Sequence, residues 1–206
     1  MVRQTFGVTP LAAVALVLAA GEGRRFAGPH HKLDVEIDGR SVLRRAVDAA
    51  LTSEIGPVVL VVGEGADRPV RTLVPDGVVT VVNPRWRDGS ATSLQAGLAR
   101  AADLAAARAV IALGDQPFIT ADAWRDVAAA DAAVAVATYN GVRGHPVQLR
   151  ADVWSLLPTE GDEGAKAVMR LRPDLVCEIP CRGSAADIDT VEDLHRWQNS
   201  SSTSSP

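Results

Sequence analysis

A chain of 206 residues, 47% hydrophobic and 22% charged, is long enough for one domain with a full core and has ordinary globular composition. Its net charge of −4 argues against broad binding to nucleic acid or to an anionic membrane, so any anion site has to be local. No apolar run reaches bilayer length, and two cysteines cannot make a disulfide framework, so a reducing cytoplasm is the expected location.

Residues 1–10 read as a loose leader. Arg3 followed by Leu11–Ala20 has the look of a signal peptide, but the apolar run flows directly into a glycine loop, which fits a buried parallel strand instead. That strand ends in Gly21-Glu22-Gly23-Arg24-Arg25, with Lys32 a few residues on. Glycines there let backbone N–H groups approach a ligand, and the cations add full charge, a chemistry suited to a polyphosphate. The dinucleotide fingerprint does not fit, because Phe26 stands where its third glycine belongs, and a Walker loop lacks its Gly-Lys-Ser/Thr.

Leu33–Ile37 alternates briefly before the turn Asp38-Gly39, and Ser41 is placed to cap a helix running to about Leu51. Further strands are expected over Val58–Val62, Val78–Val82, Ala109–Leu113, Ala132–Thr138, Val147–Leu149 and Leu175–Ile179. Helices are expected over Ala66–Val74, from Leu94 to about Leu104, over Thr120–Ala130, over Asp152–Leu157, from the Gly161–Lys166 loop to Leu171, and over Val191–Trp197. Thr190 and Asp193 have capping-box spacing. Cys177 falls in an alternating run and reads as core, with Cys-x3-Cys too isolated for a metal. Residues 199–206 are nearly all serine and read as a disordered tail, leaving a single domain over 11–198.

Strands alternating with helices, the early ones apolar throughout, predict a mostly parallel sheet covered on both faces, with the ligand site beyond the strands' carboxyl ends. Those ends carry Gly21–Arg25, Asn83–Ser93 and Gly114-Asp115, which would face one crevice. Asp115 either caps its turn or, as the polyphosphate loop favours, holds Mg2+, which prefers one or two carboxylates plus phosphate oxygens. Asp187 and Asp189 form a further acidic pair, whose alternative role is to cap the last helix. Ser93 reads equally as a helix cap or a ligand group.

Leu18-Ala19-Ala20-Gly21-x-Gly23-x-Arg25 with Lys32, followed by Gly114-Asp115-Gln116-Pro117, resembles the MobA-like NTP transferases. Gly89 to Leu94 is similar to the family's Gly-x-x-x-Ser-Leu segment. Gly144-His145-Pro146, Gly161-Asp162-x-Gly164-Ala165 and Asp187-Ile188-Asp189-Thr190-x-Glu192-Asp193-Leu194 look like the molybdenum-cofactor cytidylyltransferase branch. The segment Phe26–His31 is longer than the family's usual Arg-Met-Gly-x-x-Lys spacing, and Val191 stands where the family often has proline.

The resemblance, which spans Ala15 to Leu194, implies a three-layer α/β/α, Rossmann-like, GT-A-like nucleotidyltransferase fold. It implies a Mg2+-dependent transfer of a nucleotide, CMP from CTP in the first place, to a phosphorylated acceptor with release of pyrophosphate. Molybdopterin cofactor is the favoured acceptor, with a molybdoenzyme as partner in delivery. A phospholactate-like acid or sugar phosphate is the enzymatic alternative, and a non-catalytic pterin carrier the non-enzymatic one. Backbone groups of Leu18, Ala19, Ala20, Gly21 and Gly23 would cradle the nucleotide together with Asn83, Gly89, Ser93 and Gly114. Arg25, with Arg24, would hold the leaving phosphates, Lys32 would sit near the α-phosphate, and Asp115 would bind Mg2+ with Asp189, Asp187 being the reserve. Gln116, Pro117, Arg143, Gly144, Gly161, Asp162, Gly164 and Ala165 would meet the acceptor, and His145 would either contact it or orient its loop.

Overall fold

The computed structural model describes residues 11–21, 31–65, 73–193 and 196. The chain forms β1 (Val14–Ala19), β2 (Glu36–Ile37), β3 (Arg40–Ser41), α1 (Val42–Ser53), β4 (Val58–Gly63), β5 (Val79–Asn83), α2 (Ser90–Asp103) and β6 (Arg108–Leu113). It continues through α3 (Ala121–Ala128), β7 (Val134–Tyr139), β8 (Val142–Arg150), α4 (Ala165–Leu171) and β9 (Val176–Pro180). Seven strands make one sheet in the order β5-β4-β1-β6-β8-β7-β9, with β2 and β3 as a separate small ribbon. All neighbours pair in parallel except around β8, which runs antiparallel to both β6 and β7.

Strand alternation builds the two outer layers. Ala15, Val17 and Ala19 of β1 face a core shared with Leu43 and Val47 of α1 and Trp124 of α3. Val14 and Leu16 face the opposite core, with Leu94 and Leu98 of α2, Val153, and Val168 of α4. Fully burying each such valine or leucine contributes about 1.5–3 kcal/mol, so a central strand apolar on both faces holds the layers together. Ser41 caps α1 by accepting from the Arg44 amide at 3.1 Å, and the expected capping box forms, with Asp193 N–H donating to Thr190 Oγ1 and Thr190 N–H to Asp193 Oδ2.

Several expectations need correction. Leu33–Ile37 yields only the two-residue β2, because residues 32–34 turn to bring Lys32 inward. The strand expected over Val147–Leu149 spans Val142–Arg150: its first half is exposed polar hairpin, which pairs through backbone and leaves no apolar pattern. α2 starts at Ser90 with Gly89 as its cap, so Ser93 lies inside the first turn and is not a cap. Residues 151–156 form a 3-10 helix. Cys177 is exposed on the edge strand β9 and not core. The leader, the serine tail and most of the helix expected over 66–74 lie outside the described residues. Among the described residues no helix is long and apolar enough to cross a membrane.

Candidate active site at the carboxyl ends of β1 and β6

The chain leaves β1 to build β4 and β5 on one side, then returns to place β6 on the other. The carboxyl ends of β1 and β6 therefore flank the sheet's switch point, where open α/β sheets leave a crevice for ligands. One side of that crevice carries Ala20-Gly21 and the other Gly114-Asp115, joined by the Gly114 amide donating to the Leu18 carbonyl at 2.8 Å.

At the crevice Lys32 Nζ donates to Asp115 Oδ2 at 2.5 Å and to Asp189 Oδ1 at 2.9 Å. The three side chains are largely shielded, at 11%, 16% and 21% exposure. Burial pulls the lysine pKa down, but Asp115 and then Asp189 outweigh it, leaving Lys32 above its ordinary value. The long segment before Lys32 does not prevent its reaching the strand-end acid.

Asp189 is brought there by a strap. Ile188 is fully buried in the core that also holds Val17 and Leu43, and its amide donates to the Asp115 carbonyl at 2.9 Å. Gln116, itself buried, donates to the Ala185 carbonyl at 3.1 Å and to Asp187 Oδ1 at 2.6 Å. The Asp187 carboxylate is thus turned toward Gln116 while Asp189 is turned toward Lys32. Burial, and next the Asp115 charge, push Asp187 up from the usual carboxylate range.

Asp115 Oδ1 is buried with no hydrogen-bond partner among the described residues. A buried carboxylate oxygen without a donor is costly, and a divalent cation is a group that would satisfy it. Two carboxylates with remaining positions for phosphate oxygens and water match the donor set Mg2+ takes. The described residues hold no cluster of three or more His, Cys, Asp or Glu that would form an all-protein metal cage.

Two adjoining cavities share Leu18, Ser90, Leu113 and Asp162 in their walls, and Asp115 lines the first of them. The first, about 550 Å3, is lined by Leu18, Ala20, Gly21, Gly89, Ser93 and Asp115. Asn83 does not line it; its buried Nδ2 donates to Thr92 Oγ1 and Ser93 Oγ, fixing the first turn of α2. Ala19 and Gly114 pack beneath the crevice: a Cβ on Gly114 would come within 2.9 Å of the Ala19 Cβ. Gly89 has φ +110, and a Cβ there would strike the Gly161 carbonyl oxygen at 2.3 Å, so only glycine permits this backbone contact. Sequence reasoning missed Trp86 and Arg87 in this wall. Trp86 lies over Gly63 at the end of β4, and Arg87 stacks on the indole 4.3 Å from the ring centroid. A tryptophan in a polar, glycine-bearing loop was the available signal.

The second cavity, about 500 Å3, is lined by the expected Arg143, Gly144, His145, Asp162, Gly164 and Ala165. Burial, and then the Lys166 charge, lower the His145 pKa to about 4, so its imidazole is neutral at physiological pH. Gln116 and Pro117 do not line it; they lie buried beneath the strap. Gly161 holds the loop from behind, its amide donating to the Asp88 carbonyl and its carbonyl accepting from the Ala91 amide. Apolar positions Leu94, Ile111, Leu113, Val147 and Met169, and the cation Lys166, were not singled out. Gly23, Arg24 and Arg25 lie outside the described residues.

The model of the MobA-like NTP transferase domain matches residues 15–176. The chain belongs to this family. It is 30% identical to the nicotine blue oxidoreductase of Paenarthrobacter nicotinovorans, over 92% of this chain and 98% of that protein. It is 41% identical over 91 residues to the 2-C-methyl-D-erythritol 4-phosphate cytidylyltransferase of Rhodococcus opacus, covering 44% of this chain and 39% of that one. Among solved structures, the manganese complex of Rv0371c from Mycobacterium tuberculosis superposes with a TM-score of 0.75 at 27% identity, covering 92% of this chain and 99% of that one. The three-layer, mostly parallel, Rossmann-like architecture is that of nucleotidyltransferases, and the chain is a member of a nucleotidyltransferase family.

Proposed function

We propose that the protein is a Mg2+-dependent nucleotidyltransferase that moves CMP from CTP to a phosphorylated acceptor, molybdopterin cofactor in the first place. The observation that carries this reading is the Asp115 oxygen that has no partner among the described residues, buried at the switch point on the wall of the first cavity, with Lys32 on the other oxygen of the same carboxylate. One cavity takes the nucleotide and the other the acceptor, so their reacting phosphates meet beside Asp115. The similarity to a cytidylyltransferase and to a manganese-binding structure supports the nucleotide and the divalent ion.

In this reading an acceptor phosphate oxygen attacks the α-phosphorus in line, the bond to the β-phosphate breaks, and pyrophosphate leaves. Asp115 and Asp189 would hold Mg2+, which when bound supplies charge neutralisation to the phosphates. Backbone of Ala20 and Gly21 orients the nucleotide, Trp86 and Ser93 wall it in, and Lys32 leaves its carboxylates for the α-phosphate, where negative charge gathers. Arg25 and Arg24 take the leaving phosphates, and neutral His145 donates or accepts one hydrogen bond to the acceptor. The location implied is the cytoplasm, and delivery to a molybdoenzyme would follow.

The test is pyrophosphate release with Mg2+ and each NTP in turn, with and without molybdopterin cofactor. Release most readily with CTP and only with the pterin supports the reading; equal release with sugar phosphates and none with pterin sinks it in favour of the sugar-phosphate alternative. No release with any pair, together with tight pterin binding, would point to a carrier. A second reading, an oxidoreductase acting on a compound such as nicotine blue, is favoured by the relative of that name, 30% identical over 92% of this chain. Conversion of nicotine blue by the protein in the absence of any nucleoside triphosphate tests it directly.

A further inference from the structure

The acceptor-side cavity has an uneven distribution of chemistry. Its floor is Leu94, Ile111, Leu113, Val147 and Met169, contributed by α2, β6, β8 and α4. Its charges sit at the mouth. Arg170 is held in a two-pronged pair by Glu163, at 2.5 and 2.6 Å. Arg143 is held by Glu178 at 2.7 Å. Asp162 accepts from the Ser90 amide at 3.0 Å, which commits one of its oxygens to the start of α2. Lys166 lines the same mouth, exposed, and among the described residues no carboxylate lies within ion-pair distance of it.

We propose that Lys166 fixes the anionic group of the acceptor, and that the apolar floor selects an acceptor with a ring body in preference to a polyol phosphate. The argument rests on the nucleotidyltransferase reading for the word acceptor, but not for the binding chemistry. An ammonium already paired with a carboxylate offers little to a ligand, since the new bond replaces an old one. Lys166, without a carboxylate partner among the described residues, gains one when a phosphate or carboxylate arrives, and it does so as a flexible point charge that reaches toward the centre. Behind it, each hydroxyl of a polyol would lose water against leucine, isoleucine, valine and methionine with no donor or acceptor in return. The faces of a flat aromatic ring carry no such bonds, and they bury against the same side chains while polar groups on its edge can stay toward the open side.

The charge and the floor make separate demands, so two kinds of variant read them separately. The probes are 1-naphthyl phosphate and glucose 1-phosphate, titrated into the full-length protein without nucleotide and followed by calorimetry. Naphthyl phosphate should bind at least ten times more tightly than glucose 1-phosphate. Lys166→Met should weaken naphthyl phosphate at least tenfold, Lys166→Arg should restore most of it, and Met169→Gln should narrow the preference between the two probes. Equal or tighter binding of glucose 1-phosphate, absence of naphthyl phosphate binding, or an unchanged affinity in folded Lys166→Met would overturn the proposal. Because no nucleotide is present, these outcomes are independent of pyrophosphate release, which tests the reading beneath it.

Discussion

The ammonium of Lys32 lies 2.5 Å from Asp115 Oδ2, and the other oxygen of that carboxylate is buried with no partner among the described residues. In the proposed function one acid would serve two cations, the lysine already in place and a divalent ion on the remaining oxygen. Lys32→Met leaves Asp115 and Asp189 facing each other in a shielded site. Breaking a buried pair costs about 3 kcal/mol. Melting should fall by roughly 6–12 °C for a chain of this size, and added Mn2+ should recover more of that loss than it gives the native protein. Calorimetry with and without Mn2+ reads both numbers. The raised pKa of Lys32 also fixes a pH window: its stabilisation is complete below 10.5 and disappears as pH climbs through the raised value. Lys32→Met should lack that alkaline step.

Asp187 and Asp189 are one residue apart yet face different partners, Gln116 and Lys32. Asp189→Asn should cut metal-dependent turnover at least 100-fold, as loss of a charge-stabilising group does. Asp187→Asn keeps an acceptor for Gln116 and should lower turnover less than tenfold. It should also match or exceed native stability at neutral pH. The raised pKa of Asp187 means that its ionised form weakens the fold, a penalty present above the folded pKa and absent below 3.8. Steady-state kinetics and melting curves of the two variants separate metal ligand from strap.

His145 has its pKa lowered to about 4, so in the folded chain it stays neutral where an ordinary histidine would charge. Stability is complete above 6.5 and declines as pH falls from 6.5 toward 4. His145→Gln should flatten that acid decline in urea titrations across pH. Acceptor binding should show no step near 6.5 that belongs to this residue.

Asn83 reaches the first cavity through the start of α2 and through the Arg85 amide, from which its Oδ1 accepts. Asn83→Ala takes the donor from the buried Ser93 hydroxyl and the acceptor from the Arg85 amide, while Thr92 keeps its bonds to the Arg85 and Gly89 carbonyls; the loss is about 1–3 kcal/mol, and the nucleotide KM should rise with little change in kcat. Trp86→Ala, which removes the wall itself, should raise that KM further while leaving stability less affected. The ratio of the two effects in kinetics and melting distinguishes support from contact.

Much of this arrangement can be read from the residues alone. The apolar runs from Val14 and Val58 mark parallel strands because both of their faces are buried, and the glycine loop and Gly114-Asp115 mark the ligand edge because irregular polar segments follow them. Asn83 and Gly114 were legible as important but not in kind: one is a buried clamp and the other a close packing contact, roles that depend on who lies opposite. The placement of Gln116 under the strap was illegible for the same reason, since its partners Ala185 and Asp187 are about 70 positions away. The apolar floor of the second cavity was invisible because Leu94, Ile111 and Val147 carry the same signature as core. Their exposure to a cavity is a property of how β8 runs antiparallel beside β6.

The most direct test of the account is mass analysis of the product formed with Mg2+, CTP and molybdopterin cofactor by the native protein and by Asp115→Asn. The native protein should add one CMP to the acceptor and release pyrophosphate in equal amount, and the folded variant should lose at least 100-fold in rate. A variant that forms product at the native rate, or a native protein that releases no pyrophosphate from any NTP with any phosphorylated acceptor, would contradict it.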